Sequence, residues 1–155
     1  MNYAIVLRLL SYILLTEGAL LLLPAAASLC HGEWFVMGVF LFTAALSAVL
    51  GALLHRIKTK SQIFYMREGF ATTALCWLLI SVVGAVPFVL TGCIPNPVDA
   101  LFETVSGFTT TGASILPGVE DLPKGILFWR SFTHWVGGMG VLVFLLSLLP
   151  LTGGS

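Results

Sequence analysis

Four long apolar runs constrain this chain more than any motif in it: approximately Tyr3 to Leu29, Trp34 to Leu54, Gly69 to Leu90 and Gly125 to Leu149. A hydrocarbon core ~30 Å thick is crossed by about 20 helical residues at 1.5 Å each, and every run reaches that length. Lipid offers no hydrogen bonds, so a chain that crosses it must satisfy its own backbone, and the runs are predicted to be helices. The composition agrees: of 155 residues, 58% are hydrophobic and 9% are charged, against roughly 25% charged in a soluble domain. Net charge is zero, which leaves no basic field for nucleic acid and no charged tail for a charged partner.

Arg8 followed by an apolar run and PAAAS resembles a signal peptide, but the run is too long and Glu17 interrupts it, so it is read as a span. In the second run, the spacings Ala44 to Ala48 and Ser47 to Gly51 allow a neighbouring helix to come close. Between the second and third runs, HRIKTKSQIFYMRE holds Arg56, Lys58, Lys60 and Arg67, four of the seven basic residues. The positive-inside rule places this loop in the cytoplasm; alternation then puts both ends of the chain inside and everything from Thr91 to Lys124 outside. The closing LTGGS follows a span with no polar tail, and a fragment is expected.

No catalytic or metal constellation stands out. Cys30, Cys76 and Cys93 lack C-x-x-C spacing and are read as packing thiols, and His31 and His55 fall at segment ends, where a solvated imidazole is expected. No Ser/Lys, Ser/His, paired-Asp or H-E-x-x-H set occurs at usable spacing, so no enzyme is expected. No G-x-G-x-x-G or G-x-x-x-x-G-K-[ST] is present either.

The segment between the third and fourth runs, NPVDALFETVSGFTTTGASILPGVEDLPKG, is too apolar for a surface loop. From Pro97 it reads as a short helix, with proline in the first turn, Asp99 where the helix dipole favours an anion, and apolar Val98, Leu101, Phe102, Val105 and Phe108. At about eleven residues and ~16 Å it is too short to cross but long enough to dip halfway. A chain that enters and returns exposes carbonyls, which only protein or water can satisfy. TTTGA, residues 109 to 113, is read as that returning strand, with threonine suited to extended backbone and Gly112 free to turn a carbonyl inward. A row of inward carbonyls can replace the hydration shell of a monovalent cation. The alternative is a polar external loop in which TTTG is only a helix-to-turn signal.

Within the fourth run, Arg130 and His134 share a face. Arg130 either pairs with Glu103, bracing the short helix against the following span, or snorkels to the headgroups. His134 is read as a packing residue bonded to a neighbour, and Glu17 as a carboxylate facing protein and satisfied by Ser or Thr hydroxyls. GGMG, residues 137 to 140, is either a helix contact surface or a bend, packing being preferred.

The order of REGF, AVPF, DALFETVSGFTTTGAS, DLPKGILFWRSFTHWVGGMG and LLP resembles the Trk/Ktr/HKT superfamily of potassium transporters, the TrkH/TrkG type of bacterial transmembrane subunit above all. The resemblance implies an all-α integral membrane protein: four transmembrane helices with one re-entrant pore helix and filter loop. It divides the chain into two extra helices, residues 1–60, and a first membrane-pore-membrane repeat, residues 61–155. That repeat comprises helix 69–90, pore helix 97–108, filter 109–113 and helix 125–149, and the three later repeats of the family pattern are absent. It further implies that Thr110 and Thr111 face the potassium ion, with Gly112 as filter glycine and Thr109 and Ala113 as flanks. It implies potassium uptake in a bacterial inner membrane, a homodimer, and a cytosolic nucleotide-binding subunit of the TrkA/KtrA type. One filter strand does not make a pore, so a non-conducting scaffold or assembly fragment is the competing expectation.

Overall fold

The computed structural model describes residues 3–57 and 66–152; Lys58 and Lys60 of the basic loop and the final residues 153–155 lie outside the described residues. Among the described residues six helices follow one another: α1 (Tyr3–Leu20), α2 (Leu22–Cys30), α3 (Trp34–His55), α4 (Met66–Leu90), α5 (Pro97–Phe108) and α6 (Lys124–Thr152). Among the described residues three segments are long and apolar enough to cross a membrane: Tyr3–Cys30, Trp34–His55 and Glu68–Leu90. The expected fourth crossing is not among those three; it corresponds to α6, a helix of 29 residues.

The first apolar run is broken where one helix was expected. Pro24 has no N–H to give Leu20, and the chain turns at Leu21 before α2 carries on through PAAAS. The break is shallow, because the Leu21 N–H still reaches the Glu17 carbonyl at 2.9 Å. Below it, α1 lies along α3. The small residues of the second run are the contact: Ser47 Oγ donates to the Leu14 carbonyl at 2.7 Å, and Gly18 lies against the Ala44 backbone.

Trp129 of α6 holds the centre of the fold. It is buried, meets Phe40 of α3 and Phe108 of α5 edge-on at 6.2 Å each, and donates its indole N–H to the Gly84 carbonyl of α4 at 2.9 Å. The bond falls one residue from the Val83 carbonyl, to which Pro87 has no N–H to give. A second tie joins distant segments. The Glu33 carboxylate, in the turn before α3, accepts from Lys124 N at 2.7 Å and Gly125 N at 3.0 Å, and so caps α6 from 91 residues away. Here the orphan donors of a helix start and the favourable charge at its positive end are served together.

α5 begins as its sequence indicates, with Pro97 in the first turn and Asn96 Oδ1 accepting from Val98 N at 3.0 Å. Its apolar positions divide: Ala100 and Phe108 are buried, and Leu101 and Val105 are half-buried. Val98 and Phe102 are exposed, while Glu103, Thr104 and Ser106 are buried against α4 and α6. The helix thus buries polar groups beside Ala100 and Phe108 and leaves Val98 and Phe102 outward, the arrangement that suits a segment whose outer surroundings are apolar.

Candidate functional site

The end of α5 determines the shape of the loop that follows. Thr110 N donates to the Gly107 carbonyl at 2.9 Å and Thr111 N to the Ser106 carbonyl at 3.0 Å, the paired bonds of a Schellman motif. The motif needs a left-handed residue at its turning point, and that residue is Thr110, at φ 56°. Glycine is usual there; a β-branched side chain in this region is strained by roughly 1–3 kcal/mol, and such strain collects at functional sites. TTTGA is therefore not the extended strand that threonine content indicates. Thr109 is right-handed, Thr110 left-handed, and Gly112 again positive at φ 78°. The capping requirement of α5 outweighs the extended preference of threonine.

The hydroxyls of the loop are turned inward on the chain itself. Thr109 Oγ1 donates to the Val105 carbonyl at 2.7 Å, Thr110 Oγ1 donates to the Thr109 carbonyl at 2.7 Å, and the Thr109 and Thr111 hydroxyls meet at 2.8 Å. Among the described residues the carbonyls of Thr110, Thr111 and Gly112 accept no hydrogen bond, and residues 109–113 are all exposed. The oxygens left uncommitted are main-chain oxygens.

The far end of the loop is fastened to the helix it left. Ser106 Oγ donates to the Ala113 carbonyl at 2.5 Å. One turn earlier, buried Glu103 accepts from Ile115 N at 3.0 Å and lies 3.0 and 3.1 Å from Ser114 Oγ. Arg130 Nε donates to the same carboxylate at 2.6 Å. The sequence brought Glu103 and Arg130 together but missed Ser106 and Ser114. A polar residue three positions after Glu103, on the same face of an otherwise apolar helix, was the available signal.

α6 passes directly behind the loop. Phe108 presses its carbonyl group on Gly137, where a side chain would collide with it, and Gly138 lies beside the Thr110 methyl. GGMG continues the helix without interruption, as a contact surface. His134 Nδ1 donates to the Arg130 carbonyl at 2.9 Å. Glu17 is buried, yet no Ser or Thr hydroxyl reaches it: neither carboxylate oxygen has a hydrogen-bond partner among the described residues, because α1 turns it toward a cavity rather than toward α3.

Residues 36–155 match the TrkH family, described as a cation transport protein. The chain is 36% identical over 148 residues to an uncharacterized cation transporter of Methanocaldococcus jannaschii, covering 96% of this chain and 31% of that protein. It is 35% identical over 156 residues to the Trk system potassium uptake protein TrkH of Halomonas elongata, and 32% identical over 157 residues to that of Escherichia coli; each alignment covers 99% of this chain and 32% of the relative. The chain thus spans about a third of the length of the curated relatives it matches. Its match to the family profile extends from early α3 to the last residue, across the capped loop and the helix behind it, and the chain belongs to the TrkH family of cation transport proteins.

Proposed function

We propose that this chain supplies one side of a potassium pathway across a bacterial inner membrane, with residues 109–113 as its filter segment and main-chain oxygens of Thr110, Thr111 and Gly112 as the ion-facing groups. The observation that carries the proposal is the row of exposed, unbonded carbonyls at a helix end whose sign of φ alternates. Carbonyls with no other partner are suited to replacing a hydration shell. The C-terminal end of α5 adds its partial negative charge to the same place. Thr109 and Ala113 flank the row, and the Glu103–Arg130 pair braces it.

Re-entry is supported by where α5 ends. Gly137, against the Phe108 carbonyl, lies about 20 Å along α6 from Lys124 at 1.5 Å per residue. That depth is near the middle of a helix long enough to cross, so α5 descends to mid-membrane and the loop returns from there. On this reading α6 is the fourth crossing, α1 to α3 stand outside the repeat, and residues 61–155 form it. The basic loop and both ends of the chain face the cytoplasm, where a nucleotide-binding regulatory subunit docks on a homodimer. The other sides of the pathway come from further membrane-pore-membrane units. Potassium is the cation because the Halomonas and Escherichia relatives are named as potassium uptake proteins.

The test is potassium-limited growth and rubidium uptake in an uptake-deficient bacterium expressing the natural polypeptide that carries these residues. Rescue by the unaltered protein, lost with Gly112→Ser, supports the filter assignment. Unimpaired uptake in Gly112→Ser moves the filter elsewhere, and normal membrane assembly with no cation flux under any condition favours the scaffold.

A further inference from the structure

A cavity of about 320 Å³ lies where α1, α4, α5 and α6 meet, lined among others by Glu17, Thr72, Cys76, Trp77, Phe108 and Trp129. Two independent facts make it more than a packing gap. Glu17 is 4% exposed and Thr72 8%, and both Glu17 oxygens and the Thr72 hydroxyl lack a hydrogen-bond partner among the described residues. All three atoms belong to side chains that line this one cavity. A buried carboxyl group without a hydrogen-bond partner is costly in either protonation state, and intramembrane acidic side chains mark functional sites by default.

The lining selects the occupant. Water alone fits poorly, since a space of this size holds several molecules, each needing two to four polar partners, and the wall is predominantly apolar. A bare alkali cation needs a shell of roughly six or more oxygens, which one carboxylate and the hydroxyls of Thr16, Thr72 and Thr73 do not complete, the first and last of these being turned back on their own helices. A primary ammonium matches instead: it carries three donors for three unused acceptors and one positive charge for one negative. The rest of the wall is largely apolar and aromatic, Trp77 and Trp129 included, which suits a compact hydrophobic body.

We propose that this cavity is a binding site for a small organic amine in its ammonium form, its head on Glu17 and Thr72 and its apolar body between Trp77 and Trp129. The site is separate from the capped loop but shares Phe108 with it: that ring lines the cavity, and its carbonyl group presses on Gly137 behind the loop. An amine bound there touches the last residue of α5.

The experiment is calorimetric titration of the natural polypeptide, in detergent micelles, with benzylammonium and with benzyl alcohol as its neutral counterpart of similar shape. Saturable binding of benzylammonium is expected at least tenfold tighter than that of the alcohol. Glu17→Gln should weaken the ammonium about tenfold and leave the alcohol unchanged. Ile80→Phe fills the cavity without altering the carboxylate and should abolish both, which keeps the test decisive if Glu17→Gln fails to fold. No saturable binding to the unaltered protein overturns the proposal, as does equal binding of the two probes or binding that survives Ile80→Phe.

Discussion

Ser106 Oγ donates to the Ala113 carbonyl at 2.5 Å, so a side chain in the last turn of α5 fixes the far end of the loop that leaves it. The loop is a closed ring of chain rather than a free segment, and its free carbonyls are presented from a fixed frame. Ser106→Ala removes that closure. A neutral hydrogen bond of this kind contributes about 1 kcal/mol. The expected result is a roughly fivefold loss of rubidium-over-sodium discrimination in flux assays, with membrane insertion unchanged. Unaltered discrimination would show that the ring does not need closing.

Glu103 and Arg130 make a pair that cannot be exchanged. Reversing both charges would be expected to rescue a simple ion pair, but Glu103 also accepts from Ile115 N and meets Ser114 Oγ, and an arginine at 103 has no acceptor to offer them. Arg130→Gln alone leaves a buried carboxylate without its cation and should cost about 3 kcal/mol in denaturant unfolding. The double neutral variant, Glu103→Gln with Arg130→Gln, is expected to be more stable than that single one, and the swapped pair no better than it. A swap that restores full stability would reduce the carboxylate to a charge partner only.

Thr110 occupies a left-handed position that glycine would hold without strain. Thr110→Gly should therefore raise unfolding stability by about 1 kcal/mol while reducing potassium-over-sodium selectivity severalfold. Thr110→Val keeps the strain and loses the hydroxyl bond to Thr109, so its stability should fall. If Thr110→Gly proves less stable than the parent, the hydroxyl rather than the backbone governs the turn.

Helix α6 starts on a carboxylate borrowed from another part of the chain. Glu33→Ala leaves the Lys124 and Gly125 amides without an acceptor and should cost about 1–2 kcal/mol, with Glu33→Gln costing roughly half. Hydrogen exchange reports this directly: those two amides should exchange about tenfold faster in the alanine variant. Unchanged exchange there would mean the cap is dispensable.

The helices were largely legible because apolar run length is a direct readout of what lipid demands. α3 ends at His55 and α5 covers Pro97–Phe108, each within a residue of what the sequence indicates. The break at Leu21 was also visible, in Pro24, but was masked by the length of the run around it. What the sequence hid was direction. Periodicity located the apolar residues of α5 without telling that Val98 and Phe102 point outward while Phe108 points in, because apolar surroundings remove the usual meaning of an apolar face. Contacts between distant segments, such as Glu33 with Lys124, left no local trace. The loop misled for a third reason: threonine predicts extended backbone, while the helix before it needed a left-handed cap.

The polar groups that α5 buries also bear on biosynthesis. A twelve-residue helix carrying two carboxylates, Asp99 and Glu103, has little reason to leave water alone, since a central acidic side chain costs about 2.5–3.5 kcal/mol on insertion scales. Its partners Arg130 and Gly137 are made later, in α6. On the proposed re-entrant reading, the segment is expected to wait at the membrane surface until α6 emerges, and the two to enter together as one post-insertional folding step.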